Sequence, residues 1–598
     1  MPISPLSNAV TRSTFSILVD GNEIKGEYGV EQIIIEKKVG MVSKAKVIFV
    51  DGDPSENTFP ISESADLIPG KAIKIKLGYE STEEDAFEGV ITSQSLKAIN
   101  YAHKNVSQLI ITCHDKAFKL GLAPKTINFK DKKDSEVVSS IISSYGLTKA
   151  VGVTTYKHPN LVQYNASDWE FVKDRAKANG MIVICDAGKL DINAPVVSGT
   201  PVLDLDYGSN VMAFNAQMDG TSQLKGASYQ SWTSATQKLA KGVGTEATVT
   251  AHGNITASAL AKEAGKPEIA LSTSTPEDAT VLKAMADAEV LFSRLSKIKG
   301  TVSFVGSTKP KPGKLIGLSG FGARFNGTAF ISSVMHELKG GFWKTHVGFG
   351  LPYDAMKSNA SLGKDKAIGN LQAIPGLHIG KVKQIDKDPE GEFRVLVDVP
   401  VIKEGGEGIW ARLLNPYASK SIGFYFYPEI GDEVLLGFLG NDPRFAVIAG
   451  SLYSKKNPPP NTPEKKNELK SIVTKSKMKI AFDEKDKIIT IETPGGQKVT
   501  LDDKAKSIKL EDQNKNTITL SDKGITIDSG KDIVLKAKGK VTISSVGNAT
   551  LDSKADVSIT GNNVKSKAKI ALKAEGAASA ELKASGNVIV KGSMVNIN

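Results

Sequence analysis

The 598-residue sequence predicts a mainly β protein of several domains. Three observations carry that expectation. One hydrophobic core rarely grows past about 250 to 300 residues, so this length implies a division. Short alternating stretches of Ile, Val and Thr recur between turn residues, with 55 Gly and only 6% aromatics. The last quarter repeats apolar pairs every eight residues. With 40% apolar and 24% charged residues the chain has an ordinary globular composition.

Residues 1–122 read as a first small β-barrel, with strands at 15–19, 32–36, 46–50, 72–77, 89–93 and 108–112. Asp20-Gly21-Asn22, Asp51-Gly52-Asp53-Pro54 and Pro69-Gly70 supply the turns between them. Residues 123–195 read as α+β. Val137, Val138, Ile141, Ile142 and Tyr145 share one helical face, with Asp134 or Ser135 as cap and Gly146 as stop. Ser167 and Glu170 form a capping box for a second helix that ends at Gly180.

Residues 196–357 read as a second barrel interrupted by a helix over 276–299, whose Val281, Met285, Ala288, Phe292 and Leu295 lie on one face. An internal echo links the two barrels. Pro69-Gly70-Lys71-Ala72-Ile73 returns as Pro312-Gly313-Lys314-Leu315-Ile316, and Phe87-Glu88-Gly89 as Phe325-Asn326-Gly327. Residues 358–457 form another strand-rich unit, with strands at 376–382, 393–399, 433–438 and 446–450, closed by the stiff run Asn457-Pro458-Pro459-Pro460. Residues 458–598 are a linker and a repeat.

In that repeat Ile525, Ile533, Val541, Ala549 and Val557 are eight apart, and so are Ile527, Leu535, Ile543, Leu551 and Ile559. Each octad sets two apolar residues two positions apart, on one side of an extended chain, and closes with polar or Gly residues. The lattice slips after Thr560 and resumes loosely at Ile570/Leu572, Val588/Val590 and Val595/Ile597. So narrow an apolar edge needs a cover. A single chain coiled three octads per turn would complete only about three coils, the least a solenoid tolerates. Three chains around one axis, each donating its pairs to a shared core, is the favoured solution.

The central residues resemble a known family. Gly408-Ile409-Trp410-Ala411-Arg412, Pro428-Glu429-Ile430-Gly431-Asp432-Glu433-Val434, Gly440-Asn441-Asp442-Pro443-Arg444 and Gly450-Ser451-Leu452-Tyr453 resemble the OB-fold of VgrG spike proteins and of phage baseplate hub and needle proteins. Upstream, Gln163, Tyr164, Ser167, Asp168 and Phe171 resemble the hub signature, with Ala166 where many members carry an acid, and His336 fits the second hub barrel. The resemblance implies a homotrimeric spike: a hub of two barrels per chain under a hexameric inner tube, flanked by baseplate proteins, an OB-fold, and a trimeric intertwined β-helix needle. Ile525, Ile527, Ile533, Leu535, Val541, Ile543, Leu551, Val557 and Ile559 would face the three-fold axis, and Val595, Asn596, Ile597 and Asn598 would meet a PAAR-repeat tip protein or cargo. Such a spike crosses a target membrane transiently.

The remaining chemistry is sparse. Two cysteines, Cys113 and Cys185, make no disulfide framework and no zinc cluster. Cys113-His114-Asp115 lies on a strand, where neighbours alternate faces and cannot converge as a triad. His336 and His346 lack a carboxylate or Cys cluster, His103, His158, His252 and His378 read as isolated, and Glu83-Glu84-Asp85 reads as a solvated loop. Gly320, Gly322 and Gly327 do not make a nucleotide-binding GxGxxG. No catalytic residue, metal site or cofactor is expected, and an envelope-degrading hydrolase and a surface adhesin on a β-solenoid stalk are the competing readings.

The net charge of +11 is concentrated late: residues 470–598 hold 23 Lys and 15 Asp or Glu, hence +8, with no Arg after Arg444 and no aromatic after Phe482. Nucleic-acid binding, which uses Arg forks and stacking rings, is not expected. The first residues lack a basic segment followed by an apolar one, so the expectation is synthesis in the cytoplasm without a signal peptide and incorporation into an injection particle that acts outside the cell or inside a target.

Overall fold

Alternation writes the first lobe. Ile33 and Ile35, Val47 and Phe49, Ile73 and Ile75, and Leu109 and Ile111 each stand two apart, and all eight are buried in one core. In the computed structural model they fall on β3 (Val30–Lys38), β4 (Lys44–Val50), β5 (Ala72–Tyr79) and β7 (Lys104–His114), joined by β1 (Ser13–Val19), β2 (Asn22–Glu23) and β6 (Thr82–Tyr101). The structure describes all residues except 1–3, 6–11, 54–55, 102–103, 234–237, 264, 266–267, 274–276, 354, 357–366, 368, 370 and 598. Residues 1–459 and 460–598 are separate compact units.

An α+β segment follows: β8 (Pro124–Lys133), α1 (Asp134–Ser144), β9 (Thr148–Val151), β10 (Lys157–Ser167), α2 (Asp168–Ala178), β11 (Ile182–Asp186) and β12 (Lys189–Asn193). The capping box at Ser167 is present, its hydroxyl accepting from Glu170 N and Glu170 Oε2 accepting from Ser167 N. The expected cap of α1 is corrected. Lys133 holds the N-cap position without a side-chain bond, because Asp134 turns inward to an arginine.

The second lobe contains β13 (Asp204–Asp206), β14 (Ala213–Met218), β15 (Ala227–Thr233), β16 (Lys238–Val243), α3 (Ala257–Glu263), β17 (Ile269–Thr273), α4 (Ala279–Leu295), β18 (Ile298–Val305), β19 (Leu315–Ser319), β20 (Gly327–Lys339) and β21 (Phe342–Phe349). Its strand order β13-β19-β20-β21-β18-β14 repeats the first lobe's β1-β5-β6-β7-β4-β3 position by position. β20 pairs with β3, so the lobes share a sheet.

The echo lies at equivalent places in that order. Gly70 N donates to Ile91 O and Ile91 N to Lys71 O, while Gly313 N donates to Ile331 O and Ile331 N to Lys314 O. Gly70 and Gly313 have φ of 105° and 84°, which a Cβ disfavours. The Phe-x-Gly part is offset. Gly89 opposes Ile73, three residues after Gly70, whereas Gly327 opposes Leu318, five after Gly313.

Next comes a closed five-stranded barrel, β22 (His378–Gln384), β23 (Val395–Asp398), β24 (Ile409–Leu413), β27 (Glu433–Phe438) and β28 (Ala446–Ser451). Helix α5 (Pro400–Lys403) and the short hairpin β25 (Ala418–Ser419) and β26 (Ile422–Gly423) decorate it. Val382, Val395, Val397, Ile409, Val434, Leu436 and Ile448 fill its core.

The second unit opens with an antiparallel meander: β29 (Leu469–Val473), β30 (Lys479–Asp483), β31 (Ile488–Glu492), β32 (Lys498–Asp502), β33 (Ser507–Glu511), β34 (Thr517–Ser521) and β35 (Gly524–Asp528). Beyond it the described residues carry no assigned strand. The chain instead bends at 530–531, 538–539, 546–547, 554–555, 562, 569–570, 577–578, 585–586 and 593. These steps of seven or eight residues continue across the slip in the sequence lattice after Thr560.

Candidate functional site

Two features can do work: a buried joint between the lobes and the five-stranded barrel, and an uncovered apolar face in the second unit.

The joint is built on β10 and α2. Val162 of β10 is buried in the core of the five-stranded barrel and Tyr164 packs against it. Gln163 Nε2 donates to Ala166 O at 2.8 Å and Asp168 Oδ1 at 2.9 Å, locking the strand-to-helix corner. Asp168 Oδ2 accepts from Lys125 Nζ and from the Tyr145 hydroxyl, both at 2.6 Å, and Phe171 stacks on Phe129. These contacts hold the corner between β10 and α2.

Next to this corner a chain of buried charges crosses three segments. Arg175 of α2 clamps Asp134 with two bonds, Nε to Oδ1 at 2.6 Å and Nη2 to Oδ2 at 2.9 Å, and donates through Nη1 to Gly369 O at 3.0 Å. His158 Nε2 lies 3.2 Å from Asp134 Oδ2, and His158 Nδ1 lies 3.5 Å from Arg444 Nη1. Arginine can only donate, so this geometry fits the tautomer with the proton on Nε2. Arg444 then bonds Glu277 at 2.6 Å and Asp442 at 2.9 Å. Thus α1, α2 and β10, the residue just before the α4 cap, and the Asp442-Pro443-Arg444 motif meet in one network. Burial alone would raise the Asp134 carboxyl, but the Arg175 charge and the bonds from His158 and Arg175 outweigh it and hold it below the carboxylate range. Burial disfavours the charged Arg444, and Asp442 and Glu277 reverse that to hold it firmly protonated.

The other motif residues of the barrel have local roles. Asp432 Oδ2 accepts from Glu429 N at 2.9 Å in the turn containing Gly431, whose φ is 98°. Pro428 precedes that turn, Val434 is core, Gly450 is in β28, and Tyr453 is exposed. Trp410 lines a cleft of about 540 Å³ beside the joint with Tyr156, Leu239, Arg394, Arg412 and Phe445. On the surface, Tyr417, Ile422, Phe424, Tyr425 and Phe426 stand exposed along one loop and hairpin.

His336 is buried, 3.1 Å from Thr345 Oγ1 through Nδ1, and burial lowers its pKa to about 3. His158, expected to be isolated, is corrected by its place in the network. Glu83, Glu84 and Asp85, expected in a loop, lie on β6 instead. The turn sits before them at Glu80 and Ser81, with φ of 53° and 64°. Ser16, Thr308 and Lys74 engage the three carboxylates. Cys113 is a core residue whose thiol burial pushes up to about 12, His114 bonds Thr92, and Asp115 caps a short helix, so the three diverge. Among the described residues no group of three or more His, Cys, Asp or Glu could hold a metal.

In the second unit apolar partners meet strand after strand: Ile472 with Ile480, Phe482 with Ile489, Ile491 with Val499, Leu501 with Ile508, Leu510 with Ile518, and Leu520 with Ile525. Most of this face stays more than a third exposed. It runs into the octads at Ile525 and Ile527, the last strand. Ile533, Leu535, Val541, Ile543, Leu551, Val557 and Ile559 are exposed within the chain, Ile543 to 84%. Val595, Asn596 and Ile597 are exposed after the last bend, and Asn598 lies outside the described residues.

The upstream half of this face was missed in the sequence because its pairs recur every nine or ten residues, each strand reversing through a turn. The network was missed too, though Asp134 and Arg175 on the apolar faces of their helices were a usable signal.

Family models match most of the chain: the Alg8 N-terminal domain over 9–340, more than half of it, the type VI secretion system/phage-baseplate injector OB domain over 378–453, and the phage baseplate V C-terminal trimerisation domain over 488–598. The actin cross-linking toxin VgrG1 of Vibrio cholerae serotype O1 (strain ATCC 39541 / Classical Ogawa 395 / O395) is 33% identical over 87 residues, which are 14% of this chain and 8% of that relative's length. Among solved structures, the half-lidded Francisella PdpA–VgrG complex aligns with TM-score 0.50 and 10% identity over 86% of this chain and 88% of the other. The lidded complex aligns with TM-score 0.50 and 10% identity over 86% and 80%. These last likenesses concern the fold.

Proposed function

The chain belongs to the VgrG-like spike proteins of contractile injection systems, its first half an Alg8 N-terminal domain, and from this we propose that it is the trimeric central spike that couples an inner tube to a piercing needle. One observation carries the reading: the second unit presents a continuous run of apolar pairs that its own chain leaves open, then turns every seven or eight residues. Burying apolar surface is the main drive to association. Three copies around an axis would cover every pair at once, Ile525 to Ile559 pointing inward, in keeping with a trimerisation domain over 488–598.

In this reading the two lobes receive a hexameric tube, six lobes in a trimer matching six subunits, beside baseplate proteins. The exposed aromatics from Tyr417 to Phe426 support contact with neighbouring copies. The end at Val595 to Ile597 receives a PAAR-repeat tip protein or cargo. The role is mechanical, transmitting sheath force through a rigid trimer and through a target membrane, with no catalysis of its own. The joint supports this: Asp134, Glu277 and Asp442 are each engaged by an arginine and Asp168 by Lys125 and Tyr145, which fixes the domains to one another. In this reading the protein is made in the cytoplasm and acts as part of an injection particle, outside the cell or delivered into a target on firing.

Native mass measurement of the full chain at micromolar concentration tests the reading. Three chains per particle are expected, and a stable folded monomer would overturn it.

A further inference from the structure

The needle exterior is what the spike reading leaves unused. Residues 529–598 hold 11 lysines against five carboxylates, +6 per chain, with no arginine and no aromatic ring. All 11 lysines are exposed. Two of the carboxylates are taken within the chain, Glu575 by Lys573 and Glu581 by Lys583. The lysines gather in two runs, Lys536-Ala537-Lys538-Gly539-Lys540 and Lys565-Ser566-Lys567-Ala568-Lys569, neither of which contains an acid. Each run reaches a bend, at 538–539 and 569–570, the corners of the repeat. Among the described residues none of the six has an ion-pair partner, unlike Lys479 with Glu492 or Lys509 with Glu511 in the meander.

Solubility does not ask for this. A mixed exterior such as the meander's serves as well, while three like charges at successive alternate positions repel, and three chains would gather nine at each level. Such a concentration suits a polyanion. Readers of nucleic acid add guanidinium forks and stacking rings, both missing here. A compact ammonium on a flexible stem suits scattered, mobile phosphates, and basic runs bind anionic leaflets through the summed attraction of their charges. We propose that the two lysine runs are a contact zone for anionic phospholipid headgroups, engaged as the needle meets its target membrane. The proposal rests on the spike reading.

The full chain is tested by co-sedimentation with vesicles of phosphatidylcholine alone and of phosphatidylcholine with phosphatidylglycerol, at about 50 and 300 mM salt, since screening should weaken the contact. Binding is expected only to the anionic vesicles. It should fall about tenfold at high salt and about tenfold in Lys536→Gln/Lys538→Gln/Lys540→Gln or in the matching triple at 565, 567 and 569. A control triple, Lys485→Gln/Lys487→Gln/Lys523→Gln, should stay within about twofold. Inorganic phosphate should compete no better than chloride of equal ionic strength; a specific displacement would mean a free-anion site and overturn the membrane assignment. Equal binding to both vesicles, equal loss in the control, or tighter run-dependent binding to a DNA duplex would also overturn it. Mass measurement on the same samples separates the readings: trimers that ignore anionic vesicles refute the lysine zone alone, whereas a monomeric wild-type chain refutes the spike and the lysine contrast still decides the zone.

Discussion

Removing the Arg444 guanidinium tests the buried joint most directly. In Arg444→Met an apolar chain of similar length replaces the cation that touches both Glu277 and Asp442, at 2.6 and 2.9 Å. The side chains of Glu277 and Asp442 are 2% and 0% exposed, so both carboxylates would stay buried without their counter-ion. Breaking one side of a buried pair costs about 3–5 kcal/mol, against the smaller net worth of the intact pair. Two stranded carboxylates put this site at the upper part of that range. If the stranded charges are the cause, neutralising them should recover stability, so Arg444→Met with Glu277→Gln and Asp442→Asn should lose less than the single change. Lysine at 444 should rescue only partly, because one ammonium cannot fork between two carboxylates as a guanidinium does. The assay is urea unfolding of the full chain followed by tryptophan fluorescence, since Trp410 lines the cleft beside Arg444. A loss below about 1 kcal/mol for Arg444→Met, or a triple variant no better than the single, would refute the view that this network holds the barrel to the lobes.

Three further outcomes follow from other parts of the molecule. Ile543→Asp should dissociate or fray the trimer, because three carboxylates would enter one apolar core at several kcal/mol each, while Thr542→Asp should stay within about 0.5 kcal/mol; thermal melts with mass measurement compare them, and equal effects would discard the inward register. Burial lowers His252 to about 4 and His336 to about 3, so above pH 6.5 both are neutral folded and unfolded, while below it the unfolded chain binds protons first. Stability should fall from pH 6.5 toward 4 by at most about 1.4 kcal/mol per pH unit for each histidine, and His336→Gln should flatten that slope in urea titrations. At the echoed turns, Gly313→Ala should cost more than Gly70→Ala, since its Cβ would come within 2.4 Å of Ile184 Cδ1, whereas at Gly70 nothing lies within 4 Å. Positive φ alone costs about 1 kcal/mol in each, and calorimetric melts giving equal losses would remove the packing argument.

What could be read from the residues follows from which force decides each element. The first-lobe strands were legible because alternation at Ile33/Ile35 and Val47/Phe49 is set by a single core. The helix over 276–299 was legible in kind, and its regular part is the shorter Ala279–Leu295, capped by Asp278. Local rules misled where tertiary pairing outbid them. Asp134 has the chemistry of a cap and the position of one, yet a clamp by Arg175 outweighs a single bond to a backbone amide. Glu83, Glu84 and Asp85 looked like a turn, but the positive φ at Glu80 and Ser81 closes the hairpin just before them and leaves the acids on a strand beside partners from distant segments.

The joint between the lobes and the five-stranded barrel was half visible for a related reason. Resemblance drew attention to Asp442 and Arg444, while Asp134, His158, Arg175 and Glu277 lie 165 to 308 positions upstream of Asp442, and no sequence period links them. The octads are the opposite case. Their period survives because each turn of the chain presents the same problem, two apolar side chains to cover and one corner to pass, and the bends keep that rhythm even where the residues slip after Thr560. The meander solves the same covering problem with reversing strands, so its spacing runs at nine or ten up to Ile518/Leu520 and at seven into Ile525/Ile527, while its apolar pairs still meet across these strand boundaries. A repeat is therefore better sought as recurring apolar pairs two apart than as a fixed period, because pairing on one face is what burial requires, and the residues between pairs are free to be a corner or a hairpin.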